Sequence, residues 1–170
     1  MYLQTERAII VINNTKIELQ TIAFSKNLTI GKINYLSKKK LDINAEINIR
    51  KDTIDILNSN IQIESSFANG SGRVLRNRDF NLAINLQDEK INNVVSNLPQ
   101  NIKKICDPFV LGGKITSDIK ITGIISKDTN PLFEMDYTIT DGSYELKSIP
   151  FKLKNISMNG SVTNGNQHNF

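Results

Sequence analysis

Residues 41–49 read LDINAEINI, and their pattern decides the fold class. Leu41, Ile43, Ala45, Ile47 and Ile49 alternate without a break with Asp42, Asn44, Glu46 and Asn48. A period of two sends successive side chains to opposite faces of an extended chain, whereas a helix would scatter these five around its circumference. The stretch is therefore a strand with one apolar and one polar face.

The same signature recurs outward from it. Phe80, Leu82, Ile84 and Leu86 alternate with Asn81, Ala83 and Asn85, and Ile115, Ile119, Ile121 and Ile125 share a face with Ser117 and Gly123. Phe133, Met135, Tyr137 and Ile139 alternate with Glu134, Asp136 and Thr138, and Ile156, Met158 and Val162 close the series. Weaker strands are expected over 8–12, 16–24, 28–35, 53–57, 60–65, 143–147 and 151–153. Asn13-Asn14, Lys51-Asp52, Asn69-Gly70, Asp141-Gly142 and Asn159-Gly160 are expected to make the turns, since such pairs tolerate the positive φ of tight hairpins. Consecutive strands should then pair antiparallel.

One segment departs from this period. Between Asp88 and Cys106, Ile91, Val94, Val95, Leu98, Ile102 and Ile105 fall at helical spacing, and Pro99 divides them into two short helices. The expectation is a mainly β chain: a long antiparallel meander forming a curled, groove-like sheet, with one short helical insert around 88–106. As one continuous domain it divides into a strand meander over 1–87, the insert over 88–110 and a second β-region over 111–170. The insert either lies over the apolar face or plugs one end. A closed barrel, a sandwich and a half-open sheet all bury such a face, and the pattern does not choose among them.

Composition narrows the class. Of 170 residues, 39% are hydrophobic and 22% charged, and mean hydropathy is −0.27, which fits a folding chain that is neither a disordered polyelectrolyte nor embedded in lipid. The net charge of +4 is spread singly among acids apart from Lys38, Lys39 and Lys40. No basic cluster is interleaved with base-stacking aromatics, so nucleic acid is not an expected partner. Cys106 stands alone, which excludes an internal disulfide, and it is expected to be buried.

No catalytic set assembles from the residue types present. The one histidine, His168, lies in the polar tail without partners, so neither a nucleophile–base pair nor a metal site is expected. Asp42, Glu46, Asp118, Glu134 and Asp136 occupy the positions of a solvated face. Tryptophan, which commonly stacks on sugar rings, is absent. Gly112-Gly113 opens a strand and lacks phosphate-loop spacing. No cofactor is expected.

The second half carries a further series: GKI…DIKITGIISK ending at Lys127, NPLFEMDYTITDGSYEL over 130–146, and IPFKLKNISMNGSVTNG over 149–165, preceded by VVSNLP at 94–99. Together with LDINAEINIRKDTIDILNSNIQIESSFANGSGRV over 41–74, it resembles the C-terminal region of AsmA-like proteins of the Bacteroidetes type. The likeness rests on strand alternation and Asp-Gly and Asn-Gly pairs, not on a catalytic signature. It implies a fragment of a larger envelope protein, tethered to the inner membrane by an N-terminal anchor this sequence lacks and projecting into the periplasm. It further implies a role in outer-membrane biogenesis, with phospholipid as the partner.

Taken with the pattern, the expected function is non-enzymatic: a hydrophobic β-groove that shields or conducts acyl chains, its best candidate contacts being Ile119, Ile121, Phe133, Met135 and Tyr137. The rival expectation is a structural or adhesive β-domain closed over its own core and binding other proteins. An enzyme with a non-obvious site is the remote third.

Overall fold

The computed structural model describes residues 2–30, 33–36, 38–98, 103, 104, 106–126, 129 and 131–165. The strands are β1 (Tyr2–Asn13), β2 (Lys16–Ile30), β3 (Ile33–Leu36), β4 (Lys39–Ile49), β5 (Thr53–Ile63), β6 (Ser66–Leu75), β7 (Asp79–Lys90), β8 (Phe109–Ile124), β9 (Leu132–Leu146) and β10 (Phe151–Thr163), with helix α1 (Ile91–Asn97) between β7 and β8. Nine of the strands form one antiparallel meander in the order β1-β2-β4-β5-β6-β7-β8-β9-β10, and β3 pairs with the far end of β2. The sheet does not close, because β1 and β10 stand at opposite ends of it. Of the three ways to satisfy the alternation, the chain uses the open sheet.

The accessible surface is 12003 Å², against the ~8,400 Å² that the surface–mass relation gives for a compact monomer of this size. The excess is what a single layer produces. Among the described residues only Ala23 and Leu41 are fully buried apolar side chains. Most other side chains of the apolar face in the sheet interior are half-buried by their cross-strand and same-strand neighbours, while Ile49 and Ile54 are exposed at one end of it.

Three of the expected turns lie inside strands. Asn69-Gly70 belongs to β6, Asp141-Gly142 to β9 and Asn159-Gly160 to β10. Freedom at positive φ suits a bulge as well as a turn, and a missing side chain also suits close approach. Asp141, at φ 51°, is a bulge residue facing Gly113, at φ 106°. The ring of Tyr137 lies over Gly160, where a Cβ would come 2.8 Å from Tyr137 Oη. The expected turn at Lys51-Asp52 is used, within 50–52, and other turns among the described residues fall at Asn14-Thr15, Glu64-Ser65, 76–78 and 147–150.

Bulges also explain why expected strand pairs merge. Leu57 is the extra residue that lets 53–57 and 60–65 run together as β5, since Ile47 faces Ile56 while Glu46 faces Asn58. Positive φ at Asp88 (48°), Gly113 (106°), Asp141 (51°) and Asn155 (57°) marks a line of irregularities across β7, β8, β9 and β10. The expected strand over 28–35 is instead the end of β2 and the start of β3, paired as a hairpin.

The helical insert is shorter than its periodicity implied. Residues 88–90 continue β7, and α1 begins at Ile91. Residues 103, 104 and 106 are helical, whereas the expected break at Pro99 lies outside the described residues. Asn93 Nδ2 donates to Ser65 O at 3.0 Å, and Asn97 Nδ2 donates to Ile63 O at 3.0 Å and to Ser66 Oγ at 2.9 Å. These bonds tie α1 to the β5–β6 turn, so it covers one end of the sheet and not the length of its apolar face. Cys106 is half-buried, not buried as its apolar setting implied.

Candidate functional site

Cross-strand register aligns the apolar positions into rows that cross the sheet. Ile12, Ile17, Ile47, Ile56, Gly72, Leu82, Ile121 and Phe133 are successive partners from β1 to β9. A second row passes through Ile10, Leu19, Ala45, Ser59, Gly70, Ile84, Ile119, Met135 and Val162, reaching all nine strands. Antiparallel partners share a face, so these rows are one continuous apolar surface. Small residues at the β6 positions, Gly70 and Gly72, make its shallowest strip.

The five candidate contacts all fall on this surface. Ile121 faces Phe133, Ile119 faces Met135, and Tyr137 faces Ser117, so they form a contiguous cluster on β8 and β9. All five are half-buried. Ser117 is fully buried between Leu86 and Tyr137, and its Oγ has no hydrogen-bond partner among the described residues. Ile17, Leu19, Ile56 and Val74 also belong to the face. In sequence, the Leu57 bulge hides Ile56, and Gly70 and Gly72 interrupt the run that would have signalled Val74.

The opposite face is polar. Asp42, Glu46, Asp118, Glu134 and Asp136 all project from it, and Asn85 Nδ2 donates to Asp118 Oδ1 at 2.6 Å. Asp55 is buried there between two guanidinium groups. Arg73 Nε donates to Asp55 Oδ1 at 2.5 Å, and Arg50 Nε lies 3.7 Å from Oδ2. Lys16 Nζ lies 3.0 Å from Glu46 and 3.4 Å from Glu18. The hydrogen bond and charge of Glu46, followed by those of Glu18, raise its pKa above the ordinary 10.5.

The cavities open on this polar face. One trough of about 810 Å³ runs across β5–β10 along the row Gly70, Ile84, Ile119, Met135 and Val162, between a row with Asn69 and Asp118 on one side and a row with Ser71 and Lys120 on the other, so Ile119 and Met135 also line it. A smaller one of about 370 Å³ lies beside it, flanked by Thr116, Thr138 and Asn159.

Among the described residues no three His, Cys, Asp or Glu side chains gather as a metal site, and no helix is long and apolar enough to cross a membrane. His168 lies outside the described residues. Comparisons with protein-family models, curated proteins and solved structures find no match.

Proposed function

We propose that the apolar face is a lipid-bearing surface: a non-enzymatic segment that holds phospholipid acyl chains against the sheet and shields them from water. The observation that carries this reading is a continuous apolar surface across nine strands over which the described residues lay no second layer. A folded chain normally buries such a face against another element, and leaving it open marks it for an apolar partner. Each acyl methylene removed from water there contributes about 0.8 kcal/mol. The polar troughs take no part, because their Asn, Asp and Ser flanks would leave an acyl chain facing unsatisfied hydrogen-bonding groups.

The resemblance to AsmA-like proteins supplies the setting. On that reading the segment works in the periplasm as part of a longer protein anchored in the inner membrane, and contributes to outer-membrane biogenesis.

Native mass spectrometry of the chain expressed into a bacterial envelope tests the assignment. Phospholipid is expected to co-purify with the wild type and to be lost from an Ile119→Asp, Ile121→Asp double variant that keeps its β circular-dichroism spectrum. Repeated absence of lipid from the wild type, or recovery of a polypeptide on the same face instead, would overturn it.

A further inference from the structure

We propose that the polar face is a second binding surface, for a neutral glycan chain lying across the strands. This face is opposite the lipid-bearing one, and the assignment does not depend on the lipid reading. The starting observation is a row that only the register reveals. Gln20, Asn44, Asn60, Asn69 and Asn85 are successive cross-strand partners on β2, β4, β5, β6 and β7. Asp118, Asp136 and Ser161 continue the same line over β8, β9 and β10. Asparagine is disfavoured in strands, yet four adjacent strands place it at one level. The chain has 21 lysines and arginines, and none falls in this row, whereas Lys16, Arg73 and Lys120 stand elsewhere on the same face.

The hydrogen-bonding groups of the row are largely unspent. Asn85 Nδ2 donates to Asp118 Oδ1 at 2.6 Å. Among the described residues, the side chains of Gln20, Asn44, Asn60, Asn69 and Asp136 have no hydrogen-bond partner, and all five are exposed. Each amide offers two donors and a carbonyl acceptor. Asp118 and Asp136 are directly opposed, a like-charge pair that donors placed between them would relieve.

Troughs run along both sides of the row. The larger separates it from Ser71, Lys120 and Glu134, the smaller from Thr116 and Thr138, and Asp118, Asp136 and Ser161 line both. Ile84, Ile119 and Met135 send their side chains to the other face, so the floor of the larger trough is backbone. Phe67 lies two residues from Asn69 on the same face of β6, and its ring is 56% exposed beside the row.

These features select the ligand. An acyl chain would leave the amides unsatisfied, and an anionic polymer would meet Asp118, Glu134 and Asp136. A neutral sugar carries hydroxyls that donate to carboxylates and both donate to and accept from amides, and its C–H face packs on an aromatic ring. Strands in a sheet repeat about every 4.8 Å, and a β-1,4-linked pyranose advances by nearly the same step. An extended polypeptide presents side chains on one side about every 6.6 Å and falls out of step. A glycan laid along the row meets one polar side chain per sugar from Asn44 on β4 to Asp136 on β9, a span of six sugars.

Calorimetric titration of the full chain with β-1,4-linked oligomers of N-acetylglucosamine and of glucose tests the assignment. Affinity should rise with length from disaccharide to hexasaccharide. An Asn60→Ala, Asn69→Ala double variant should bind the hexasaccharide about tenfold more weakly, as should Phe67→Ala, each keeping its β circular-dichroism spectrum. The Ile119→Asp, Ile121→Asp variant should bind it like the wild type, which separates this site from the lipid surface. No binding of either hexasaccharide at millimolar concentration, equal affinity for disaccharide and hexasaccharide, or an unchanged affinity in the asparagine variant would each overturn the proposal. So would tighter binding of carboxymethylcellulose, an anionic polymer on the same backbone.

Discussion

Ile119 and Asp118 are neighbours in the chain and sit on opposite faces of β8, and the two faces differ in a way that side-chain size explains. On the apolar side, long aliphatic groups fill the space above the strands and half-bury one another without a second layer. On the polar side, rows made mostly of Asn, Asp, Ser and Ala, with Lys120 and Glu134 among them, leave the troughs open between them. Hydrophobicity decides which face excludes water; side-chain length decides which face has holes. A cavity is therefore a poor guide to where an apolar ligand would lie on this molecule.

The sharpest way to break the contrast is to disturb the device that keeps each residue on its proper face. Gly113 sits at φ 106° in β8, and a Cβ there would come 2.7 Å from Gly142 Cα on β9. Gly113→Val combines left-handed strain with overpacking against backbone, and should cost about 3 kcal/mol or more. A urea-denaturation midpoint measures it, and a cost under about 1 kcal/mol would mean that the paired bulge does not hold the register.

A milder test compares the faces directly. Ile119→Asp puts a charge among half-buried aliphatic groups and should destabilise by about 2 kcal/mol. Asp118→Asn, one residue away, keeps a polar group beside Asn85 and should stay within about 0.5 kcal/mol. Equal effects in parallel melts would show that the faces are not energetically distinct.

The smallest effect belongs to Lys16 on the polar face. Its pKa in the folded chain is raised by Glu46 and Glu18. Its contribution is therefore complete below the unfolded lysine value and is lost as pH rises through the folded one. Full exposure makes it small and sensitive to salt. Melting curves of the wild type and Lys16→Met should run in parallel up to about pH 10, where unfolded lysine begins to titrate, and converge above it. Added salt should narrow the gap below that pH.

Much of this sheet was legible from period alone. Alternation around Ile43, Leu82, Ile121 and Met135 placed each on the correct shared face, because a strand's period is local and nothing tertiary overrides it in a single layer. The sequence misled where one local signal serves two structures. Asn69-Gly70, Asp141-Gly142 and Asn159-Gly160 carry the chemistry of a turn, and only the partner strand reveals whether the chain reverses, bulges as at Asp141, or runs straight on as at Gly70 and Gly160. Whether the sheet closes was not legible, since closure depends on how the ends of the meander meet and no residue encodes that singly. The candidate contacts on β8 and β9 were readable as a face. Their extension to Ile17, Leu19 and Ile56 on distant strands needed the register.

One architectural fact carries a kinetic consequence. Apart from the contacts α1 makes with β6, β7 and β8, packing runs mainly between strands adjacent in the sheet. Such a chain behaves as a one-dimensional array, with stability summed over nearest-neighbour seams. Most strands follow their sheet neighbours directly in sequence, so loops close over short spans and folding can spread from any formed hairpin. Pulled from its ends, the molecule should surrender one hairpin at a time in many small steps, peeling like a zipper where a two-layer core would rupture at once.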